Sequence, residues 1–416
     1  MRIAVIGAGI SGLTSAYVLS KAHEVTLFER EPRLGGHAHT HQVPAGGTTW
    51  PVDTGFMVFN ERTYPNFIRL LRELGVSSRP SDMSFGVRCR RCGLEYSSVG
   101  LGGLFAQPSR WFSAGHWLML TDILRFFKRG RRALADGLPE GHSLGAFLRS
   151  GGHGDGLVRH FVLPMGAAIW SSSSADLLQF PAQSFLRFLD NHGLLRAAGQ
   201  PVWRTIVGGS VSYVTAIADR LGAGVRVASP VTRVSRTADG AHIETAAGGR
   251  ERFDRVVVAT HADEALRMLA DPSDEERAAL GRFRYSANDT WLHSDERLLP
   301  SRPAARASWN CELLDCRDDH SSVSVTYDLN RLQGHAPGQP LLCSLNPREP
   351  IQGEVLAHVD YRHPILDGAA FEGQGLVRRL NGQRHTFYCG AHLRYGFHED
   401  GVMSALDVTR ALGADL

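Results

Sequence analysis

The sequence predicts a two-domain α/β protein, a doubly wound parallel-sheet domain interrupted by an inserted α+β domain, and three observations carry that prediction. Residues 2–29 run strand, glycine-rich turn, helix, strand, the order of a βαβ unit. Short strand-like runs recur at Phe253 through Thr260 and Phe387 through Gly390, each ending in small residues. The segments between them differ in pattern, mostly helical over 86–204 and alternating in part of 266–349. At 416 residues the chain also exceeds what one ordinary core accommodates.

The first element is Arg2-Ile3-Ala4-Val5-Ile6, read as a strand from the start, so no secretory leader is expected. Gly7-Ala8-Gly9-Ile10-Ser11-Gly12 follows, and a helical pattern runs on through Leu13, Ala16, Tyr17 and Leu19. Gly7 permits a tight turn, Gly9 lets backbone approach a pyrophosphate, and Gly12 lets helix and strand pack closely. The first helical N–H groups, at Ile10 and Ser11, then face the phosphates. Glu24 to Phe28 forms a second strand ending at Glu29, which is placed for a ribose diol with Arg30 beside it. A carboxylate there repels a 2′-phosphate and argues against NADP. The loop alone leaves NAD and FAD open, but Arg33-Leu34-Gly35-Gly36-His37 brings a second glycine turn to the same cofactor.

The pattern from Glu29 to Gly36 resembles the amine oxidase and phytoene desaturase superfamily of FAD enzymes. The resemblance implies an amine-oxidase-like fold, with a Rossmann-type FAD-binding domain and an inserted α+β substrate domain. It places an arginine after the Gly-Gly pair, where this sequence has His37. Ser229 through Val234 looks like the strand whose Val231 backbone holds the adenine. Phe253 through Thr260 looks like the later buried strand, ending at Ala259. Phe387-Tyr388-Cys389-Gly390 looks like the second pyrophosphate contact, with Gly390 at the phosphate. His398 to Val402 opens the last helix, whose N–H groups, including Gly401 and Val402, would face the flavin edge. Thr54, Gly55 and Phe56 would run under the ring. Cys389 sits beside the pyrophosphate contact, so FAD is expected to be non-covalent. The expected FAD-binding domain is residues 1–85, 205–265 and 350–416, and the substrate domain is 86–204 and 266–349.

Val52 through Asn60, Ala168-Ile169-Trp170-Ser171, Thr326 through Asn330, Ser344 through Pro347 and Gly390 through Gly401 resemble a narrower bacterial group. These are FAD-binding proteins encoded beside cyclopropane-fatty-acid-synthase-like methyltransferases. The resemblance implies an oxidoreductase that desaturates or isomerises an acyl, lipid-like substrate by hydride transfer to flavin N5, with a lipid methyltransferase as partner. Two rivals stay open: an amine oxidase making an imine with oxygen as acceptor, and a non-catalytic flavoprotein partner of the methyltransferase. Amine oxidases of the superfamily place a lysine beside the flavin, and here the two lysines, Lys21 and Lys128, fall elsewhere. The position of one of their two flanking aromatic rings holds His398, and neither carboxylates nor an aromatic cage is visible for a cation.

His398 is the first candidate acid/base group, since imidazole titrates near ~6.5, with Tyr327 the second. Phe56, Trp170, Tyr327 and His398 are expected to line the substrate channel. Glu399 and Asp400 are read as cap and first-turn acids of their own helix. Residues 108–132 interleave Trp111, Phe112, Trp117 and aliphatic residues before a basic cluster. They form either a helix at an anionic membrane surface or an amphipathic helix with its apolar face in the core. A net charge of +3 excludes a whole-surface nucleic-acid footprint. Six scattered cysteines suit a reduced, cytoplasmic protein, peripheral at the inner membrane face on the first reading of 108–132. Cys89-Arg-Arg-Cys92 is a lone CxxC, read as a surface turn, and His37, His39 and His41 as a cofactor-side loop; no metal is expected.

Overall fold

The first strand, β1 (Arg2–Ile6), is the centre of a five-stranded parallel sheet. On one side lie β2 (Glu24–Phe28) and the short strand Val225–Arg226; on the other lie Arg255–Val258 and Thr386–Tyr388. In chain order this is 3-2-1-4-5, a doubly wound sheet whose order reverses at β1, so a ligand crevice belongs at its carboxyl end. The structure, a computed structural model, describes residues 1–139, 141–170, 173–317 and 323–416. Ser171 of the Trp170 motif and Ser322 at the head of the alternating run lie outside the described residues.

Helix α1 (Ile10–Leu19) is buried on every side. It lies against the sheet and is covered by the last helix, His398–Ala411, and by Val211–Leu221. That explains why its sequence shows no polar stripe. Gly12 makes the packing possible: a Cβ there would stand 1.8 Å from the Gly7 carbonyl oxygen.

The second layer is a seven-stranded, mainly antiparallel sheet. Its order is Val355–Ile365, Arg284–His293, Leu342–Leu345, Ser324–Asp328, Trp309–Leu313, Phe85–Cys89, Glu95–Ser97. The alternating run expected over Ser322 to Tyr327 forms the fourth of these strands from Ser324 onward. Val355–Ile365 pairs along its length with Arg284–His293, so this sheet continues past the expected boundary at residue 350. Helices make up most of the described residues between 100 and 191, the longest being Ala114–Asp136. No helix among the described residues is long and apolar enough to cross a membrane.

Candidate active site

The carboxyl end of β1 opens into a cavity of about 920 Å³. Local chemistry shapes its first half. Gly7 takes φ +95°, a left-handed turn that a side chain would strain, and its N–H donates to the Phe28 carbonyl at 2.8 Å. Gly9 is extended, and a Cβ built on it meets nothing within 4 Å, because it would point into the cavity. Glu29 steadies the loop: one carboxylate oxygen accepts from the Ala8 N–H at 2.7 Å, the other from the Glu31 N–H at 3.0 Å. Arg30 reaches Glu264 at 2.9 Å on the cavity rim.

The second glycine turn packs directly on the first, and a Cβ on Gly36 would sit 3.1 Å from the Gly9 Cα. The next segment is held from beneath. Buried Asp53 accepts from Ser210 N and Oγ, at 2.9 and 2.6 Å, and from Thr40 Oγ1 at 2.5 Å. Burial still pushes its carboxyl up to about 6. Thr54, Gly55 and Phe56 follow along the wall, and the Phe56 N–H donates to the His37 carbonyl at 2.8 Å.

Of the anticipated residues, Gly7, Gly9, Ile10, Ser11, Glu29, Arg30, Gly35, Gly36, His37, Thr54, Gly55, Phe56, Val231, Ala259 and Gly390 line this one cavity, as do Trp170, Tyr327 and His398. Gly12, Gly401 and Val402 do not. The Gly401 N–H already donates to the Phe397 carbonyl at 3.0 Å, and Val402 is fully buried in the core. The expectation that their N–H groups face a flavin is therefore corrected; the helix start contributes through its first turn. Gly401 instead lets two helices converge, since a Cβ there would stand 2.7 Å from Ile10 Cγ2. Asp400 caps its own helix, accepting the Phe397 N–H at 3.0 Å. Glu399 does not: it caps α2 (Pro65–Leu74), accepting from Asn66 N at 3.1 Å and Phe67 N at 2.9 Å. Cys389 faces Ser15 Oγ at 3.6 Å, away from the cavity.

His398 also differs from expectation. Its ring lies flat on Phe56, centroids 3.5 Å apart, with Nε2 hydrogen-bonded to the Tyr213 hydroxyl at 2.9 Å. Burial pulls its pKa down to about 3, so it is a neutral imidazole across the physiological range rather than a group poised near neutrality. Burial pushes the Tyr327 hydroxyl well above the ordinary phenol value, and that ring stands edge-on to Trp309 at 4.9 Å.

Sequence reasoning missed a histidine group. His261, His363 and His392 line the cavity near His37, which stacks on Tyr361 at 4.9 Å. Burial lowers each of them, His363 to about 4 and His392 to about 3, and neighbouring histidines lower His37, His363 and His392 further. His37 Nε2 and His261 Nδ1 are buried without a hydrogen-bond partner among the described residues. The His39 and His41 rings lie tilted at 4.1 Å between centroids and turn to Tyr361 and Thr54, so the alternating trio does not converge on one point. Nothing local in sequence joins residues 37, 261, 363 and 392.

The other half of the cavity is apolar. Trp170 packs on Phe188 at 4.8 Å, Phe188 stacks on Phe397 at 4.6 Å, and Met57, Trp309 and Tyr327 continue the wall. These rings assemble an aromatic surface that the sequence did not reveal. The indole N–H groups of Trp203 and Trp309 are buried there without a partner among the described residues. The charged lining residues belong to other segments, 29–33, 264–267 and 360–362. The lysines stand apart: Lys21 pairs with Glu73 and Lys128 is exposed on the long helix.

Comparisons with known proteins agree with this geometry. Residues 10–299 match the family model described as flavin-containing amine oxidoreductase. Coproporphyrinogen III oxidase of Mycobacterium tuberculosis is 31% identical over 298 residues, 66% of this chain and 62% of the relative. The chain thus spans under two thirds of that relative's length. Among solved structures, a CLA-producing fatty acid isomerase from P. acnes superposes with a TM-score of 0.70 at 17% identity, covering 98% of each chain. A putrescine oxidase gives 0.71 at 14% identity over 99% of each. These last two likenesses concern the fold. The glycine cradle, the carboxylate of Glu29 and the two converging helix starts fit FAD, the family's cofactor. On its sequence match and this site, the chain belongs to the flavin-containing amine oxidoreductase family, enzymes that are FAD-dependent oxidoreductases.

Proposed function

We propose that this enzyme desaturates or isomerises an acyl, lipid-like substrate. The observation that carries the reading is the apolar half of the cavity, walled by Met57, Trp170, Phe188, Trp309, Tyr327 and Phe397, with no carboxylate among its described residues. A neutral hydrocarbon chain fits there at no desolvation cost, whereas an ammonium ion would lose water without a counter-charge. Residues 7–11, 29–37 and 54–56 would hold FAD without a covalent bond, and bound there it would supply the two-electron acceptor such C–H chemistry needs. Tyr327 stays a protonated donor, and His398, hydrogen-bonded to the Tyr213 hydroxyl, stays a neutral wall group.

Amine oxidation is the second reading, and the same aromatic wall favours it, because rings hold cations by their faces. Anaerobic mixing with unsaturated fatty acids, phospholipids, a porphyrinogen and a panel of amines separates the two. The expected outcome is bleaching of the oxidised flavin band by an acyl lipid alone. Bleaching by amines alone overturns the proposal; isomerisation leaves the flavin oxidised but shifts a lipid double bond, so oxidised flavin with every compound and no altered lipid supports the non-catalytic rival.

A lipid substrate must be gathered from a membrane. The long helix buries Met119, Ile123 and Phe126 and turns Trp117, Leu118 and Leu124 outward, next to Phe112, which is 93% exposed. Arg125, Lys128, Arg131 and Arg132 continue that exposed side. The helix therefore has both a core face and an outer face suited to an anionic bilayer. At roughly 1 kcal/mol per basic residue, vesicles rich in phosphatidylglycerol should bind about two to three orders of magnitude more tightly than zwitterionic ones. Phe112→Asp with Leu118→Asp should abolish co-sedimentation; equal binding to both vesicle types would remove this surface from the proposal.

A further inference from the structure

The CxxC at residues 89–92 is not alone in space. Cys89 ends the strand Phe85–Cys89, and the chain turns back at once: Gly93 takes φ +67°, its N–H donates to the Cys89 carbonyl at 3.0 Å, and the Cys89 N–H donates to the Leu94 carbonyl at 2.8 Å. The tight hairpin puts both thiols on one side of the turn. Next to it in the sheet runs Trp309–Leu313, in parallel register with Leu313 opposite Cys89, and the pairing continues through Arg90 N to Leu313 O and Arg91 N to Leu314 O. That carries Cys316 to the same turn. His160 arrives from a third segment, the π-helical turn Val158–Val162, with Nε2 3.4 Å from Cys92 Sγ. Three thiols and one imidazole, from residues 89, 92, 160 and 316, have ligand atoms all within 4.8 Å of one another. None of the four lines the cavity.

We propose that Cys89, Cys92, His160 and Cys316 bind one structural zinc ion. Zinc takes four Cys and His ligands tetrahedrally, with Zn–S about 2.3 Å and Zn–N about 2.0 Å, so ligand atoms around the ion stand about 3.5–3.8 Å apart. The group needs to contract by only about 1 Å to reach that spacing. A complete set of four protein ligands leaves no open position for substrate, which makes the site structural rather than catalytic. Its neighbours hold the ligands in place: Tyr96 Oη donates to the His160 carbonyl and Arg159 Nη1 to the Cys316 carbonyl, each at 2.8 Å. The consequence reaches the cavity along the chain. The turn bearing His160 runs directly into the helix Leu163–Trp170, and the strand preceding Cys316 begins at Trp309. Zinc therefore pins the far ends of the two elements that carry Trp170 and Trp309 to the apolar wall.

Elemental analysis of the holoenzyme, expressed with added zinc and dialysed against metal-free buffer, tests this. One zinc per chain is expected, lost in Cys92→Ser and in His160→Gln while bound FAD stays at the wild-type level. Replacement by Co²⁺ in the wild-type protein should produce thiolate-to-cobalt charge-transfer absorption and tetrahedral d–d bands, a readout that stands even if a variant fails to fold. Zinc retained in both variants overturns the ligand set. A protein that takes up neither metal, or that carries a Cys89–Cys92 disulfide in place of one, overturns the site.

Discussion

Gly9→Val is expected to give a folded, colourless protein. Two features make this substitution informative. Gly9 has φ −71° and ψ 179°, extended backbone open to any residue, and a Cβ there touches nothing within 4 Å. The fold therefore has no objection to the side chain, and what it obstructs is the cavity space that Gly9 borders. With isopropyl bulk against the loop, the N–H groups at the start of α1 can no longer close on a pyrophosphate. Charge-assisted hydrogen bonds contribute about 1.5–3 kcal/mol each, so losing two weakens FAD binding by about two to four orders of magnitude. Gly12→Ala is a poor substitute, because its Cβ would collide with the Gly7 carbonyl and damage fold and site together. Flavin absorbance per chain after gel filtration, with far-UV circular dichroism as the folding control, reads the result. A yellow Gly9→Val protein with stoichiometric FAD would show that the phosphates lie elsewhere.

The glycine loop was legible because everything it needs is contiguous: strand, turn, helix, strand and Glu29 occupy residues 2–29, and their pairings are local. The distant strands of the parallel sheet were legible by resemblance to a known pattern. Other features depend on pairings that no local spacing encodes. Val355–Ile365 belongs to the antiparallel sheet because Arg284–His293 pairs with it, about seventy residues away. Glu399 reads as the first-turn acid of its own helix, yet α2 starts close by and offers it two free N–H groups. The lowered pKa of His398 follows from burial, a tertiary property that a reference value does not contain. The lone CxxC gains His160 and Cys316 only once the sheet and the π-helical turn are assembled. In each case the residue type carried the chemistry and the fold supplied the neighbour.

Arg236→Met is expected to be the most destabilising single change outside the cofactor loop. Arg236 lies in the strand Val231–Thr237 with its side chain 1% exposed, and it grips Glu276 with two nitrogens at 2.8 and 2.9 Å and Asp271 at 2.9 Å. Glu276 also accepts from the Tyr388 hydroxyl at 2.6 Å and the Ser273 N–H at 2.8 Å. The ion pair thus ties a strand of the three-stranded sheet, the helix Asp274–Leu280 and the edge strand Thr386–Tyr388. Methionine fills similar volume but leaves the Glu276 carboxylate buried with one cation, Arg384, at 3.4 Å. Breaking a buried pair costs about 3–5 kcal/mol, and the remaining Arg384 and Tyr388 contacts place this one near the lower end, about 3 kcal/mol. The pH dependence has a definite sign. Burial raises the Glu276 pKa, but hydrogen bonds from Arg236 and Tyr388 more than offset it, and the net shift is downward. A carboxylate depressed in the folded state stabilises it above the unfolded pKa of about 4.3 and loses that contribution as pH falls through the folded value. The gap between wild type and Arg236→Met should be full at neutral pH and shrink below about pH 4. Urea unfolding of the FAD-saturated proteins across that range measures it, and a gap that is small at pH 7 or unchanged in acid would show that the pair does not hold these elements together.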